Sequence, residues 1–208
     1  MDYIKTYKFT TDISYIYRKD IHKLLANRKV LDLGCGTGEY LKYFGEGSLG
    51  LDISPRNIAE AQKANLNVKL FDFNNPIALG EQFEYVFFSH VLEHLESPIN
   101  FLRFINKSLV EDGKLIISVP NENSLIHLFY PYFTGDGNHL YSFSEKNLKE
   151  LLTVAGFRVD LVIYDYYTSL TAKLGLNTFL GALNLFPKFI SYPMAWAFWV
   201  VASKEKEI

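Results

Sequence analysis

The chain has 208 residues, enough for one domain with a sizeable core. An apolar fraction of 49% and a charged fraction of 21% suit a soluble globular fold, and a net charge of −2 excludes bulk electrostatic attraction to nucleic acid. The single Cys35 excludes an internal disulfide and fits a reducing, cytoplasmic setting, and no secretory leader is visible at the start of the chain.

In chain order, residues 10–27 read as an N-terminal helix, with Thr11 or Asp12 as cap and Ile13, Ile16, Tyr17, Ile21 and Leu24 at helical spacing. Val30, Leu31 and Leu33 form a short apolar strand. Gly34, Gly36 and Gly38 then recur at every second position, and Tyr40, Leu41, Tyr43 and Phe44 resume at helical spacing. Strand, bare turn and helix start together build a small-molecule site at the carboxyl end of a strand. A dinucleotide site would place Gly or Ala at the sixth position from Gly34, where Glu39 stands, and no Gly-Lys-Ser/Thr follows to make a P-loop. An acid-flanked glycine turn suits a ligand that carries positive charge and no phosphate. S-adenosylmethionine is such a ligand.

Residues 48–52 read as a second strand ending in Asp52, an acid placed to accept ribose hydroxyls. Ser54-Pro55 caps a helix. Residues 67–71 make a third strand before Asp72-Phe73. Residues 83–89 are the most hydrophobic strand and belong at the sheet centre. His90 to His94 matches the H-x-x-E-H pattern of one zinc peptidase class, but His90 sits at a strand end and no later helix offers a third ligand, so no metal is expected. Ser97-Pro98 caps the next helix, residues 111–114 make a turn, and residues 115–119 form a fifth strand. A long aromatic connection over 120–143 carries His127 and His139 on the side where an acceptor would enter. Ser144 caps a helix that Gly156 stops, residues 157–163 are a sixth strand, and residues 196–202 are a last strand at the sheet edge.

VLDLGCGTG, together with HVLEHL after the fourth strand, resembles the class I S-adenosylmethionine-dependent methyltransferases, small-molecule type. The resemblance covers about residues 28–163 and is similar to the enzymes of ubiquinone biosynthesis. It implies a Rossmann-like seven-stranded sheet, mostly parallel, with an antiparallel edge strand and helices on both faces. It also implies a cofactor site of Asp32, Gly34, Cys35, Gly36, Gly38, Asp52, Ile53, Asp72, Phe73, Ser89 and His90. Base candidates for a hydroxyl acceptor are His139, His94 and Glu93. One domain is expected: residues 10–27, a core over 28–163, an apolar helical insertion or lid over 164–193, and a last strand over 194–203. The lid's Leu176, Phe179, Leu180, Leu183 and Phe186 lie on one helical face, facing either the acceptor mouth, a membrane surface or a second copy. The expected function is methyl transfer to a small-molecule acceptor. Its rivals are cofactor binding without turnover and an NAD-dependent oxidoreductase.

Overall fold

The computed structural model describes residues 25–121, 123–125, 139–165, 192, 193 and 195–205. Residues 10–24 of the expected N-terminal helix, His127 and the lid over 174–189 lie outside them, and residues 25–27, expected as the helix end, form a turn. Seven strands form one sheet: β1 (Val30–Leu33), β2 (Leu49–Asp52), β3 (Val68–Leu70), β4 (Phe83–Ser89), β5 (Leu109–Pro120), β6 (Phe157–Asp165) and β7 (Ala197–Lys204). Their order is β3-β2-β1-β4-β5-β7-β6, which puts the apolar β4 at the centre. Neighbours from β3 through β5 pair in parallel, and β7 runs antiparallel to both β5 and β6.

Alternate residues of the central strands feed two cores. Val86 and Phe88 of β4 face one cluster with Leu31 and Leu33, and Tyr85 and Phe87 face another with Val30, Ile116 and Trp199. A parallel sheet covered on both faces demands this two-sided apolar character. Helix α2 (Pro98–Ser108) lays Phe101, Leu102 and Ile105 on the first cluster. Each such side chain contributes roughly 1.5–3 kcal/mol on leaving water. Helix α3 (Glu145–Val154) adds Leu148 and Leu152 to the same face.

Caps account for two helix starts. Ser54 Oγ accepts from the Asn57 amide at 3.3 Å to open α1 (Pro55–Lys63), and Ser144 Oγ accepts from the Asn147 amide at 3.2 Å to open α3. Ser97 makes no such bond, so α2 starts on Pro98 alone.

Four expectations change. After the glycine turn the chain makes only a short 3-10 turn, Leu41–Tyr43, in place of a helix. Strand β5 begins at Leu109, and its register slips between the Phe83–Leu109 and Tyr85–Lys114 pairs, so residues 111–114 interrupt a strand and do not precede it. The last strand is not at the edge: β7 lies between β5 and β6. Its residues 197–202 are buried on both faces, as an interior strand requires, whereas β6 carries Arg158 and Asp160 and is half open to solvent. Finally, β2, β3, β6 and β7 start or stop one to two residues from the expected bounds.

Candidate functional site

The carboxyl ends of β1 and β2 meet at the glycine turn. Gly34 and Cys35 donate their amides to the Leu51 carbonyl at 2.8 and 3.0 Å, which locks the turn onto β2. Gly34 has φ +71°, and a Cβ there would stand 2.8 Å from Val91 Cγ2, so only glycine passes. Gly36 has φ +57°, and a Cβ there would meet nothing within 4 Å, so its backbone faces open space where a ligand can approach.

Asp52 is buried at the end of β2. Its Oδ2 accepts from the Gly36 amide at 2.8 Å, and its Oδ1 accepts from the Ser54 amide at 2.8 Å and Asn57 Nδ2 at 3.2 Å. The side chain therefore ties the glycine turn to the start of α1. A carboxylate has about four lone-pair sites, so one remains for a ribose hydroxyl. Asp32 is buried alongside. Burial, then the charges of Asp32 and Asp52, push the Cys35 thiol up to about 12. The thiol thus reports a negative potential beneath the turn, the sign that suits a sulfonium and an ammonium group. Cys35 packs with Leu41, Ile58, Ala61 and Val68, so it offers a ligand only its backbone.

After the third strand, Asp72 braces its own turn: Oδ1 accepts from the Asn74 amide at 3.0 Å and Oδ2 from Asn75 Nδ2 at 2.7 Å, and the exposed carboxylate keeps lone-pair sites for a further donor. These bonds, the Asn75 side chain first, hold its carboxyl below the usual range. The Phe73 ring packs into the core cluster of the sheet. It is buried 5.7 Å from the Phe71 ring and 5.6 Å from that of Phe101, which leaves its backbone for the role. Ile53, by contrast, is exposed beside Asp52 and can lie on a flat ring.

At the end of β4 the chain turns abruptly. His90 has φ +56°, a left-handed conformation that a non-glycine residue adopts at a cost. Its amide donates to the Ser118 carbonyl at 3.0 Å. The turn drops Glu93 into the interior, fully buried, with Oε1 3.3 Å from His90 Nδ1. Leu140 and Tyr141 donate their amides to the Glu93 carbonyl at 2.8 and 3.2 Å, and Tyr141 Oη donates to the Glu96 carbonyl at 3.1 Å. These bonds bring His139 against His94, ring centroids 4.8 Å apart and edge to face. The three expected base candidates are thus together.

Two buried polar side chains escaped the sequence reading. Ser118 stands opposite Ser89 across β4 and β5, and neither hydroxyl has a hydrogen-bond partner among the described residues. Asn121 donates Nδ2 to the carbonyls of Tyr192 and Ala195 at 2.8 and 3.0 Å and keeps Oδ1 unpartnered among the described residues. The signal available was two polar residues at the carboxyl end of one central strand, β5. An open cavity of about 850 Å³ between Gly80 and Lys107 lies near the start of β4, away from all of these residues.

The family model described as a methyltransferase domain matches residues 9–162. An uncharacterized protein of Methanocaldococcus jannaschii is 27% identical over 160 residues, covering 73% of this chain and 76% of that protein. A ubiquinone biosynthesis O-methyltransferase of Cereibacter sphaeroides is 33% identical over 104 residues, 46% of this chain and 42% of that enzyme, so the chain spans under half of that relative's length. An S-adenosylmethionine-dependent methyltransferase of Mesorhizobium loti shares the fold, with a TM-score of 0.66 at 16% identity over 86% of this chain and 92% of that one.

Proposed function

The chain belongs to the methyltransferase-domain family, and on that premise we propose that it methylates a hydroxyl of a small-molecule acceptor with S-adenosylmethionine. S-adenosylmethionine is the cofactor of that family, and the site fits it: open backbone at Gly36, buried carboxylates at Asp32 and Asp52, and a negative potential at Cys35. The cofactor supplies an electrophilic methyl on a sulfonium, which leaves as a neutral thioether and needs no acid.

The chain's own residues then have positioning and proton handling to do. Asp52 holds the ribose, and the amides of the turn meet the amino-acid end. Ile53 and the Phe73 backbone border the adenine, with Asp72 at its rim. Ser89 and His90 close the β4 side. His94 and His139, backed by the Glu93 carboxylate, take the acceptor's proton. The observation that carries this reading is the placement of that polar trio on the same edge of the sheet as the glycine turn. The O-methyltransferase name of the Cereibacter relative supports oxygen as the methylated atom.

Calorimetric titration of the whole chain with S-adenosylhomocysteine and with NAD tests the cofactor half. S-adenosylhomocysteine is expected to bind and NAD to leave no heat; the opposite result sinks the reading in favour of an oxidoreductase. Methyl transfer to a panel of hydroxylated aromatics tests the rest. Cofactor binding without turnover on any of them would favour a binding protein.

A further inference from the structure

We propose that the open cavity between Gly80 and Lys107 is a binding site for an organic phosphate monoester, separate from the cofactor and from the acceptor. It lies at the amino end of β4 and does not rest on the function proposed above.

The cavity holds about 850 Å³. Small-molecule sites span roughly 300–1,000 Å³. One wall is the loop before β4, with Leu79 and Glu81, and the other is α2. Gln82 Nε2 donates to the Lys107 carbonyl at 3.3 Å and ties the two walls together. Helix α2 uses two faces. Phe101, Leu102 and Ile105 are buried against the sheet. Asn100, Arg103, Phe104 and Lys107 recur at i, i+3, i+4 and i+7, the spacing of one helical face, and all four line the cavity.

Charge is the second observation. Helices α1 and α3 set acids beside cations on their own surfaces: Lys63 Nζ lies 2.7 Å from Glu60 Oε1, and Lys149 Nζ lies 2.7 Å from Glu145 Oε1. Helix α2, PINFLRFINKS, holds no acid. Its Arg103 and Lys107 stand four residues apart, where side chains are neighbours and like charges repel. Neither meets an acid among the described residues. Glu81, the acid in the cavity wall, is taken by Lys29 at 2.8 Å. No main-chain amide of residues 77–81 donates a hydrogen bond among the described residues. Two cations and a run of amides thus border one concave space.

A dianion matches that border. The planar fork of Arg103 alone would satisfy a carboxylate. A phosphate monoester carries a charge of roughly −1.5 to −2 near neutral pH and three acceptor oxygens. Arg103 takes two of those oxygens and Lys107 the third, with Asn100 Nδ2 and the loop amides as further donors. The half-buried Leu79 and Phe104 give the organic body an apolar surface to lie on.

The test titrates whole protein by calorimetry with phenyl phosphate, inorganic phosphate and benzoate at low salt. One equivalent of phenyl phosphate is expected, bound more tightly than either other probe. Arg103→Gln and Lys107→Gln should each lose at least ~10-fold in affinity, the scale of removing a hydrogen bond between charged groups. Both side chains are exposed, so both variants keep the wild-type melting curve. Lys63→Gln, which removes a cation outside the cavity, should bind like wild type. Absence of saturable phenyl phosphate binding overturns the proposal. So does equal affinity for inorganic phosphate or benzoate, or an equal loss in Lys63→Gln. Sedimentation with phosphatidylglycerol vesicles separates a lipid surface from a small ligand: vesicle binding that needs Arg103 and Lys107, without phenyl phosphate binding, also overturns it. S-adenosylhomocysteine is titrated into the same protein with and without phenyl phosphate, and its affinity is expected to stay the same. Competition between the two would put phenyl phosphate at the cofactor edge and overturn the site. A failure of the cofactor reading leaves the phenyl phosphate titration untouched, so the two failures are distinguishable.

Discussion

The cofactor edge and the acceptor edge of this sheet are built in opposite ways. At the cofactor edge the polar groups are paired over short stretches of chain: Asp52 takes amides from Gly36 and Ser54 and the Asn57 side chain. At the acceptor edge the groups come from far apart, with His94 against His139, and buried oxygens of Glu93, Ser89 and Ser118 are left without hydrogen bonds among the described residues. At the first edge Asp52 is satisfied by the protein itself. At the second, those buried oxygens need a partner from beyond the described residues, within the chain or from a ligand. A shared cofactor asks for the first design, and a particular acceptor asks for the second.

The largest break in this comparison comes from Gly34→Val. A β-branched residue at φ +71° is strained, and its Cβ would meet Val91 Cγ2 at 2.8 Å. Strain of ~1–3 kcal/mol and overpacking of similar size add, which lowers the melting temperature by about 4–24 °C for a chain of this length. Val91 lies on the acceptor edge, so both edges suffer together. A variant that melts and binds S-adenosylhomocysteine like wild type would show that the two edges are not coupled through this contact.

Asp52→Ala comes next. The sequence alone suggests a lost ribose contact with the fold intact. The structure adds three bonds within the protein, so the variant also loosens the glycine turn. Loss of a hydrogen bond to a charged group is worth ~1.5–3 kcal/mol, so affinity for S-adenosylhomocysteine should fall by at least ~10-fold. Melting should fall too. Unchanged affinity by calorimetry would remove Asp52 from the site.

How much of this was legible in the sequence follows the same division. The glycine turn, Asp52 and the central β4 were readable because each is a local pattern: a strand period, a turn chemistry, an acid at a strand end. The pairing of His94 with His139 was readable only as two residues on the same side. The bonds from Leu140 and Tyr141 to the Glu93 carbonyl that bring them together join main-chain atoms, on which side-chain patterns are silent. The packing of the Phe73 ring on Phe101 was not legible, because an aromatic after an acid looks alike whichever way its ring faces. The place of β7 was in fact signalled. Phe198 to Ala202 has no charge to show solvent, whereas Arg158 and Asp160 mark β6 as the edge.

The smallest and cleanest effect is at Cys35, where the comparison becomes electrostatic. The thiol reacts only as thiolate. Burial, then Asp32, then Asp52 push it from 9.0 up to about 12. Folded protein at pH 8.5 should therefore resist iodoacetamide, and denatured protein should react fully. The linkage has a definite sign. Because the folded value is raised, the neutral thiol's contribution to stability is complete below 9.0 and is lost as pH climbs from there toward about 12. Cys35→Ala should flatten that alkaline decline while leaving the melt near neutrality little changed. Asp32→Asn separates the two causes: it removes one negative charge and leaves the packing around sulfur in place. If the carboxylates set the potential at this edge, the pH at which folded protein becomes reactive moves down in Asp32→Asn. If that profile does not move, Asp32 is no source of the potential, and burial with the Asp52 charge holds the thiol neutral. The negative potential inferred for a sulfonium ligand would then rest on Asp52 alone.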